Sequence, residues 1–508
     1  MRFGGWRKAF PSVAGALLMA SSVGAYAQLT ERLMTMWWKD PFSVEEKTAP
    51  APNQRWESAK PLPPIEAPKG FGQPLTTAEP LTLPQLTEYA LLNNSRTRQA
   101  WLNARAAAAA VAVARADSFP TISATWQYLR ARPTSGTTGL LANWIDRWGP
   151  AISFSYVLYD FGLVSARVEA AEYRRLAANL AQNRTLQEVV FQVEQAYYLM
   201  IGTDALVRVN EQALKNLETA LDAARRRRES GVATVADVYR AETQVAQARL
   251  TLTRSRGEYE KSRGQLSSAV GLSPNAGLQV QPLTAPPAAQ QALQSINEYI
   301  ETVKSARPDL AAAQAQVDAA RAAAKAASKA GLPSIDYSAS ATHSQWSAQG
   351  LGTAANVGGI TQSIYRPSTQ TYTSQLTVRI PLFSGFRDSY NQRQAEYQTQ
   401  QAEATRDSLY RQVQLEVWQA YYDLQTVSGS ISSTDALVKS AEQTAQAVLA
   451  RYQGGFGTIL DLITAQQDET SARTQRIQSY LDWYTVLARL NLSVGAGDLM
   501  TTKAETTK

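Results

Sequence analysis

The segment VEQAYYLM, residues 193–200, returns as LEVWQAYYDL, residues 415–424, so that Gln-Ala-Tyr-Tyr occurs twice with Gln195 and Gln419 separated by 224 positions. Holding that offset and moving outward, Glu172-Tyr173 meets Glu396-Tyr397, Gly231 meets Gly455, Thr234 meets Thr458, Asp237 meets Asp461, and LSSAVG from 266 meets LNLSVG from 490. About 110 residues align this way without a gap. An earlier block repeats at an offset of 213, with Pro120 on Pro333. The chain is two copies of one unit, 81–290 and 291–495, and a repeat of this size governs every local assignment.

Each copy reads in the same order. An alanine-rich segment (81–118, then 291–331) has strong helix propensity and stops at Phe119-Pro120 or Leu332-Pro333, because proline lacks an N–H and clashes with the preceding turn. The period then changes from about 3.6 to 2. Ile122, Ala124, Trp126 and Tyr128 alternate with Thr121, Ser123, Thr125 and Gln127, and Ile152, Phe154, Tyr156 and Leu158 alternate with Ser153 and Ser155. In the second copy Ile335, Tyr337, Ala339 and Ala341 oppose Ser334, Asp336, Ser338 and Ser340, and Leu376, Val378, Ile380 and Leu382 oppose Gln375, Thr377 and Arg379. The pattern predicts four strands, near 121–131, 150–159, 334–343 and 372–383, each with one apolar and one polar face.

Strands of about ten residues, apolar outward and polar inward, have the length and pattern of a transmembrane β-barrel. Trp126, Tyr128, Phe154, Tyr156 and Tyr337 on the apolar faces are residues of the kind found at membrane interfaces. Four strands cannot close, and lipid does not tolerate open edges. The barrel must be shared between chains, two giving eight strands and three giving twelve.

After the second strand of each copy, Gly162 or Gly385 leads into a proline-free helical stretch, 163–228 and 387–452, about 100 Å long at about 1.5 Å per residue. Leu176, Leu180, Val190, Val193 and Tyr197 recur at three- and four-residue steps among polar residues, as in helices packed side by side with a wetted face. The turns ESGVATVAD and QGGFGTILD follow; Gly231 and Gly455 suit the left-handed conformation that ends a helix, and Thr234 and Thr458 suit the N-caps of return helices over 235–270 and 459–494.

The ends and the composition exclude other classes. Arg2, Arg7 and Lys8 precede an apolar run from Val13 to Ala20, and Ala25-Tyr26-Ala27 reads as a cleavage site, so 1–27 is expected to be a signal peptide and the run is too short for an anchor. Removing it lowers the formal charge from +7 to +4, and no nucleic-acid partner is indicated. Absence of cysteine excludes disulfides, thiolate metal sites and a Cys nucleophile. A lone histidine, His343, expected in a loop or interface, leaves imidazole metal sites and Ser-His-Asp catalysis without support. No cofactor, metal site or catalytic set is indicated. Residues 28–80, with Pro61, Pro63, Pro64, Pro68 and Pro74, read as an extended strap; 132–149 and 344–371, rich in Gly, Ser and Thr, read as outer loops; 496–508 reads as a tail.

At this point the chain resembles the TolC family of outer-membrane channel proteins over about 81–495. The carriers are the duplicated order helix, Pro, strand, loop, strand, Gly, long helix, the helix starts NNSRTRQA and ARPDLAAA, and the paired turns RRESGVATVADVYRAET and RYQGGFGTILDLITAQQ. The resemblance implies an α+β membrane protein: a homotrimer with a twelve-stranded barrel, four strands per chain, set in outer-membrane lipid and continued by a long periplasmic α-helical barrel. It also implies a periplasmic adaptor and an inner-membrane pump of RND or ABC type as partners, with no enzymatic activity.

In that family the periplasmic tip is closed by polar contacts near the paired turns, and the matching positions here are Asp237, Tyr452 and Asp461. Two positions depart from the pattern: Gly457 stands where an arginine bonds the first-turn aspartate, and Thr464 where a second aspartate lines the mouth. A charge ring would then rest on Asp461, whose three copies would favour cations; alternatively Asp237 and Asp461 serve their helix N-termini through the dipole. Arg227, Gly231, Thr234, Gly455 and Thr458 are the candidate adaptor-docking positions, the arginines of 225–228 either complementing the helix C-terminus or meeting acidic groups. The reading is an exit duct for small-molecule or drug efflux, with the outer-membrane component of a type I protein secretion system as the alternative. A periplasmic adaptor or structural coiled-coil protein would lack strands between helices in both copies, and an exported hydrolase would need a convergent catalytic set.

Overall fold

Proline and asparagine decide where the short helices stop. In the computed structural model, whose described residues are 80–131, 145–281, 296–348 and 368–495, each alanine-rich segment is two helices where composition predicts one. The first is α1 (Leu83–Asn93) and α2 (Ser95–Ala116). They break at Asn94, whose ψ of 131° is extended and whose side chain caps α2 by accepting from the Arg96 N–H at 2.8 Å. The second pair, α5 (Ile296–Ala306) and α6 (Pro308–Lys329), breaks at Arg307 because the following proline disfavours the helical conformation there. The leader over 1–27, the strap over 28–80 apart from its last residue, and the tail 496–508 lie outside the described residues.

Strands β1 (Thr121–Ala131) and β2 (Ile145–Tyr159) follow α2, and β3 (Ser334–Ala348) and β4 (Ser368–Arg379) follow α6. They form one antiparallel sheet in the order β1-β2-β3-β4. Register places Ala124, Ile152, Ala341 and Tyr372 in one row, and Tyr156, Tyr337 and Leu376 in another. The alternate rows are Ser123, Ser153, Ser340 and Thr373, then Thr121, Ser155, Ser338 and Gln375. One face is therefore apolar and the other is hydroxyl and amide. Among the described residues no helix packs over the apolar face, and Trp126, Ile152, Tyr372 and Leu376 are all more than half exposed.

The strand ends correct the sequence reading in five places. β3 and β4 extend into 344–348 and 368–371, and β2 into 145–149, all assigned to loops by composition; only 132–144 and 349–367 of those stretches are outside the described residues. Gly149 permits this, since a Cβ there would lie 1.9 Å from the His343 carbonyl oxygen. His343 is accordingly a strand residue opposite Gln370. A bulge at Val157/Tyr159 sets Tyr159, in place of Leu158, opposite Ile335. β4 ends at Arg379, before Ile380 and Leu382, because Pro381 cannot donate to the ladder.

From β2 the chain enters α3 (Leu163–Glu229), 67 residues long, and returns along α4 (Val235–Val270). From β4 it enters α7 (Arg387–Gln453), also 67 residues, and returns along α8 (Ile459–Val494). No helix among the described residues is long and apolar enough to cross a membrane. Helix α6 packs against both α3 and α7, and α8 packs against α7 and α3.

The QAYY motif lies where the long helices pass the short ones. Tyr197 is buried in a cluster with Leu86, Ala90, Val193 and Leu266, and its hydroxyl donates to the Gln281 carbonyl at 3.2 Å. Val413, Val417, Ala420 and Leu424 build the matching cluster with Val303, Leu310, Trp483 and Val494. The ends of the return helices are held alike: Asn94 Nδ2 donates to the Ala269 carbonyl at 2.8 Å, and Arg307 Nη1 to the Ser493 carbonyl at 3.1 Å. Arg307 is buried yet paired, meeting Asp309 at 2.5 Å and Glu416 at 2.9 Å. Burial raises the Asp309 carboxyl, but the Arg307 guanidinium outweighs it and holds the group below the usual carboxylate range.

Candidate functional site

The two turns that join the long helices to their return helices are built alike. At the first, Gly231 has φ 77° and the Val232 N–H donates to the Arg227 carbonyl at 2.9 Å; at the second, Gly455 has φ 89° and the Phe456 N–H donates to the Arg451 carbonyl at 2.9 Å. These left-handed glycines end α3 and α7. Thr234 and Thr458 then cap α4 and α8.

Each cap is a reciprocal box closed by an aspartate. The Thr234 hydroxyl and N–H donate to Asp237 Oδ2 at 2.8 and 3.0 Å, and the Asp237 N–H donates to the Thr234 hydroxyl at 3.3 Å. The Thr458 hydroxyl and N–H donate to Asp461 Oδ2 at 2.8 and 3.2 Å, and the Asp461 N–H returns to the hydroxyl at 3.2 Å. Donation from the threonine hydroxyl, then from its backbone N–H, holds both carboxyls below the usual range. Both aspartates are thus charged, and each Oδ2 is occupied within its own turn.

The turns meet through Arg227 and Tyr452. The Arg227 guanidinium lies 4.4 Å from the centre of the Tyr452 ring, an attractive cation–π arrangement, and a Cβ on Gly455 would sit 3.6 Å from the same guanidinium. Tyr452, on α7, is 3% exposed and packs with Leu221, Ala224, Val238, Ile459, Leu462 and Ile463, residues from the tips of α3, α4 and α8. The structure therefore joins Arg227, Tyr452 and Gly455, and separately joins Thr234 with Asp237 and Thr458 with Asp461. Asp237 is bonded to Thr234, and Tyr452 meets the arginine. Gly457 is tightly enclosed: a Cβ there would lie 3.1 Å from the Tyr452 nitrogen, so the arginine expected from the family pattern could enter only if that turn moved.

Features that motif reading misses lie just behind the tip. Gln467 Nε2 donates to Gln244 Oε1 at 2.7 Å across α8 and α4. A cavity of about 270 Å³ between α3, α7 and α8 is lined by Asn216, Thr219, Leu449, Tyr452 and Gln466, and the Gln466 Oε1 is buried without a partner. The signal for these was the heptad register of the hairpin helices, which sets which glutamines face each other. Among the described residues no group of three or more His, Asp and Glu side chains is arranged to hold a metal ion.

The family described as Outer membrane efflux protein matches residues 86–272 and 299–496, one segment in each repeat. Protein CyaE of Bordetella pertussis is 26% identical over 90% of this chain and 89% of its own length. Toluene efflux pump outer membrane protein TtgC of Pseudomonas putida is 26% identical over 82% of this chain and 83% of its own. Among solved structures, the outer membrane protein VceC of Vibrio cholerae shares the fold with a TM-score of 0.68 at 20% identity, covering 81% of this chain and 96% of that one. The match through both repeats means that this chain belongs to the outer membrane efflux protein family: passive channels seated in the outer membrane and reaching into the periplasm, which work with a periplasmic adaptor and an inner-membrane pump.

Proposed function

We propose that three copies of the chain form the exit duct of a tripartite export system. Twelve strands, four from each copy, close a barrel in the outer membrane, and the long helices continue it as a helical barrel through the periplasm. The observation that carries this reading is the sheet: it has free edges at β1 and β4, an uncovered apolar face and an opposite face of hydroxyls and amides. Such a sheet suits lipid on one side and water on the other, provided its edges are paired. Because β1 and β4 run in opposite directions, β4 of one copy can pair antiparallel with β1 of the next. Two copies would make eight strands, whose interior side chains fill; three leave a lumen.

Cargo enters from the inner-membrane pump through the adaptor, and the duct supplies neither energy nor chemistry. The name of the Pseudomonas putida relative, which specifies toluene efflux, supports small organic molecules as the cargo class. Planar-bilayer conductance of the purified mature protein, with its mass in detergent, tests the duct: steady channels from a trimer are expected, and a silent or monomeric protein would overturn it. Cross-linking in cells identifies the pump, and recovery of a type I protein-secretion transporter would reassign the cargo to polypeptide.

Asp461, Asp237 and Tyr452 make the periplasmic gate in this reading, and the surface of Arg227, Gly231, Thr234, Gly455 and Thr458 receives the adaptor. Three charged Asp461 side chains near one axis favour cations. Asp461→Asn is expected to weaken block by polyvalent cations added on the periplasmic side. Unchanged block would remove Asp461 from the mouth.

A further inference from the structure

The two repeats treat the same corner of the fold in opposite ways. At the end of α8, Arg307 joins Asp309 and Glu416 in one ion-paired network. Moving Arg307 and Asp309 back by 213 positions and Glu416 back by 224 gives Asn94, Arg96 and Gln192, at the end of α4. The first repeat thus has amides in place of a cation and an acid, and an arginine in place of the other acid. Arg96 is exposed, and among the described residues it enters no ion pair.

Arg96 lines a cavity of about 800 Å³ bounded by the start of α2 and by α3, α4 and α8, a volume that suits a drug-sized organic molecule. Its floor is the α3 stripe of Gln192, Gln195, Leu199 and Leu206, a different face of α3 from the one that Val193 and Tyr197 bury with α1. Leu481 adds a third leucine, filling the space beside Gly202, where a Cβ would lie 2.1 Å away. Across the cavity is Asp482, exposed, which accepts from Gln478 Nε2 at 3.0 Å and meets no cation among the described residues. Arg96 and Asp482 are the charged residues of the lining. They stand about 10 Å apart along the helices. Asp482 follows Leu481 at the level of Gly202, where the Thr203 and Ser262 hydroxyls meet at 2.7 Å. Ala269 lies seven residues further along α4, about 10 Å, and its carbonyl is held by Asn94, two residues before Arg96.

We propose that this cavity is a cargo subsite for zwitterionic amphiphiles. The cargo carboxylate meets Arg96, whose forked guanidinium matches a carboxylate in two parallel bonds. The cargo ammonium meets Asp482, the apolar body lies over Leu199, Leu206 and Leu481, and the glutamine amides bond polar substituents. A plain cation can use one end and is repelled at the other, as is a plain anion, so the cavity selects for separated opposite charges and not for net charge. Both ends are wet, which makes each attraction modest and sensitive to salt. As a cargo site it rests on the exit-duct reading, and it names the charge class of the small molecules conducted.

Three probes that differ only in charge test this. Norfloxacin is a fluorescent zwitterion with its ammonium and carboxylate at opposite ends of one rigid aromatic body; its methyl ester lacks the carboxylate charge and its N-acetyl derivative the ammonium. With the full mature protein in lipid nanodiscs at low salt, fluorescence titration is expected to show norfloxacin binding about fivefold more tightly than either derivative. Arg96→Gln should erase its advantage over the ester while keeping that over the N-acetyl derivative, and Asp482→Asn should do the reverse. A purely structural role for either residue would weaken all three probes alike. Equal affinity for the three probes on the wild type, or variants that shift all three together, would overturn the subsite. Steady bilayer channels from the same wild-type preparation would leave the duct standing in that case, whereas a silent protein would overturn the duct and the cargo role with it.

Discussion

At the residue scale the tip is a pair of similar turns whose differences matter more than their likeness. Asp237 and Asp461 each spend one carboxylate oxygen on their own threonine, so the caps and any role at a channel mouth use the same side chain. Thr234→Ala is expected to cost about 1 kcal/mol of local stability, read as faster amide exchange over the first turn of α4. Its pH dependence has a definite sign. Asp237 is lowered in the fold, so the contribution of its box is complete above the unfolded carboxyl value of about 3.9 and is lost as pH falls through the lower folded value. The difference between wild type and Thr234→Ala should therefore be constant above about pH 5 and shrink in acid; a difference that grew in acid would mean that the carboxylate is not the bonded form. These caps were legible in the sequence, since Thr followed three residues later by Asp is a local signal. Arg227 over Tyr452 was not, because the partners are distant in the chain and neither has a periodicity that names the other.

At the element scale the first hairpin is laced by charge at strict heptad spacing. Arg225–Glu242, Glu218–Arg249 and Glu211–Arg256 approach to 2.8, 2.7 and 2.8 Å, each member seven residues from the next on its own helix. The second hairpin keeps Glu442–Arg473 at 3.0 Å and replaces the outer rung by Asp435 accepting from the Tyr480 hydroxyl at 3.0 Å. At the tip its counterparts of Arg225 and Glu242 are Leu449 and Gln466, which line the cavity there. Exposed rungs contribute only about 0.2–1 kcal/mol each, so lacing sets register more than it holds the helices together. Leu449→Arg/Gln466→Glu rebuilds the missing rung, and hydrogen exchange at the tip of α7 and α8 is expected to slow by an amount that fades with added salt. No change at low salt would mean that these two positions do not face each other in solution.

At the scale of the whole molecule the sheet has a lipid side and a water side only if it is closed by other copies. Phe154→Arg on the apolar face is expected to destabilise the assembled barrel by about 2–4 kcal/mol, while Ser153→Arg, one residue away on the polar face, leaves stability nearly unchanged and alters conductance. Thermal dissociation of the proposed trimer on gels measures the first effect and bilayer recording the second; equal losses from both would show that the two faces see the same solvent. The sequence by itself determined the repeat, the order of elements, the two-faced strands and the caps, because each is written in spacing over a few residues or in a fixed offset between copies. Tertiary structure decided the breaks at Asn94 and Arg307, the carriage of β2 through Gly149, the side-by-side order in which α6 lies between α3 and α7, and the meeting of Arg227 with Tyr452. Those depend on which surfaces touch, and a helix or strand pattern records only that a face must be covered, not by what.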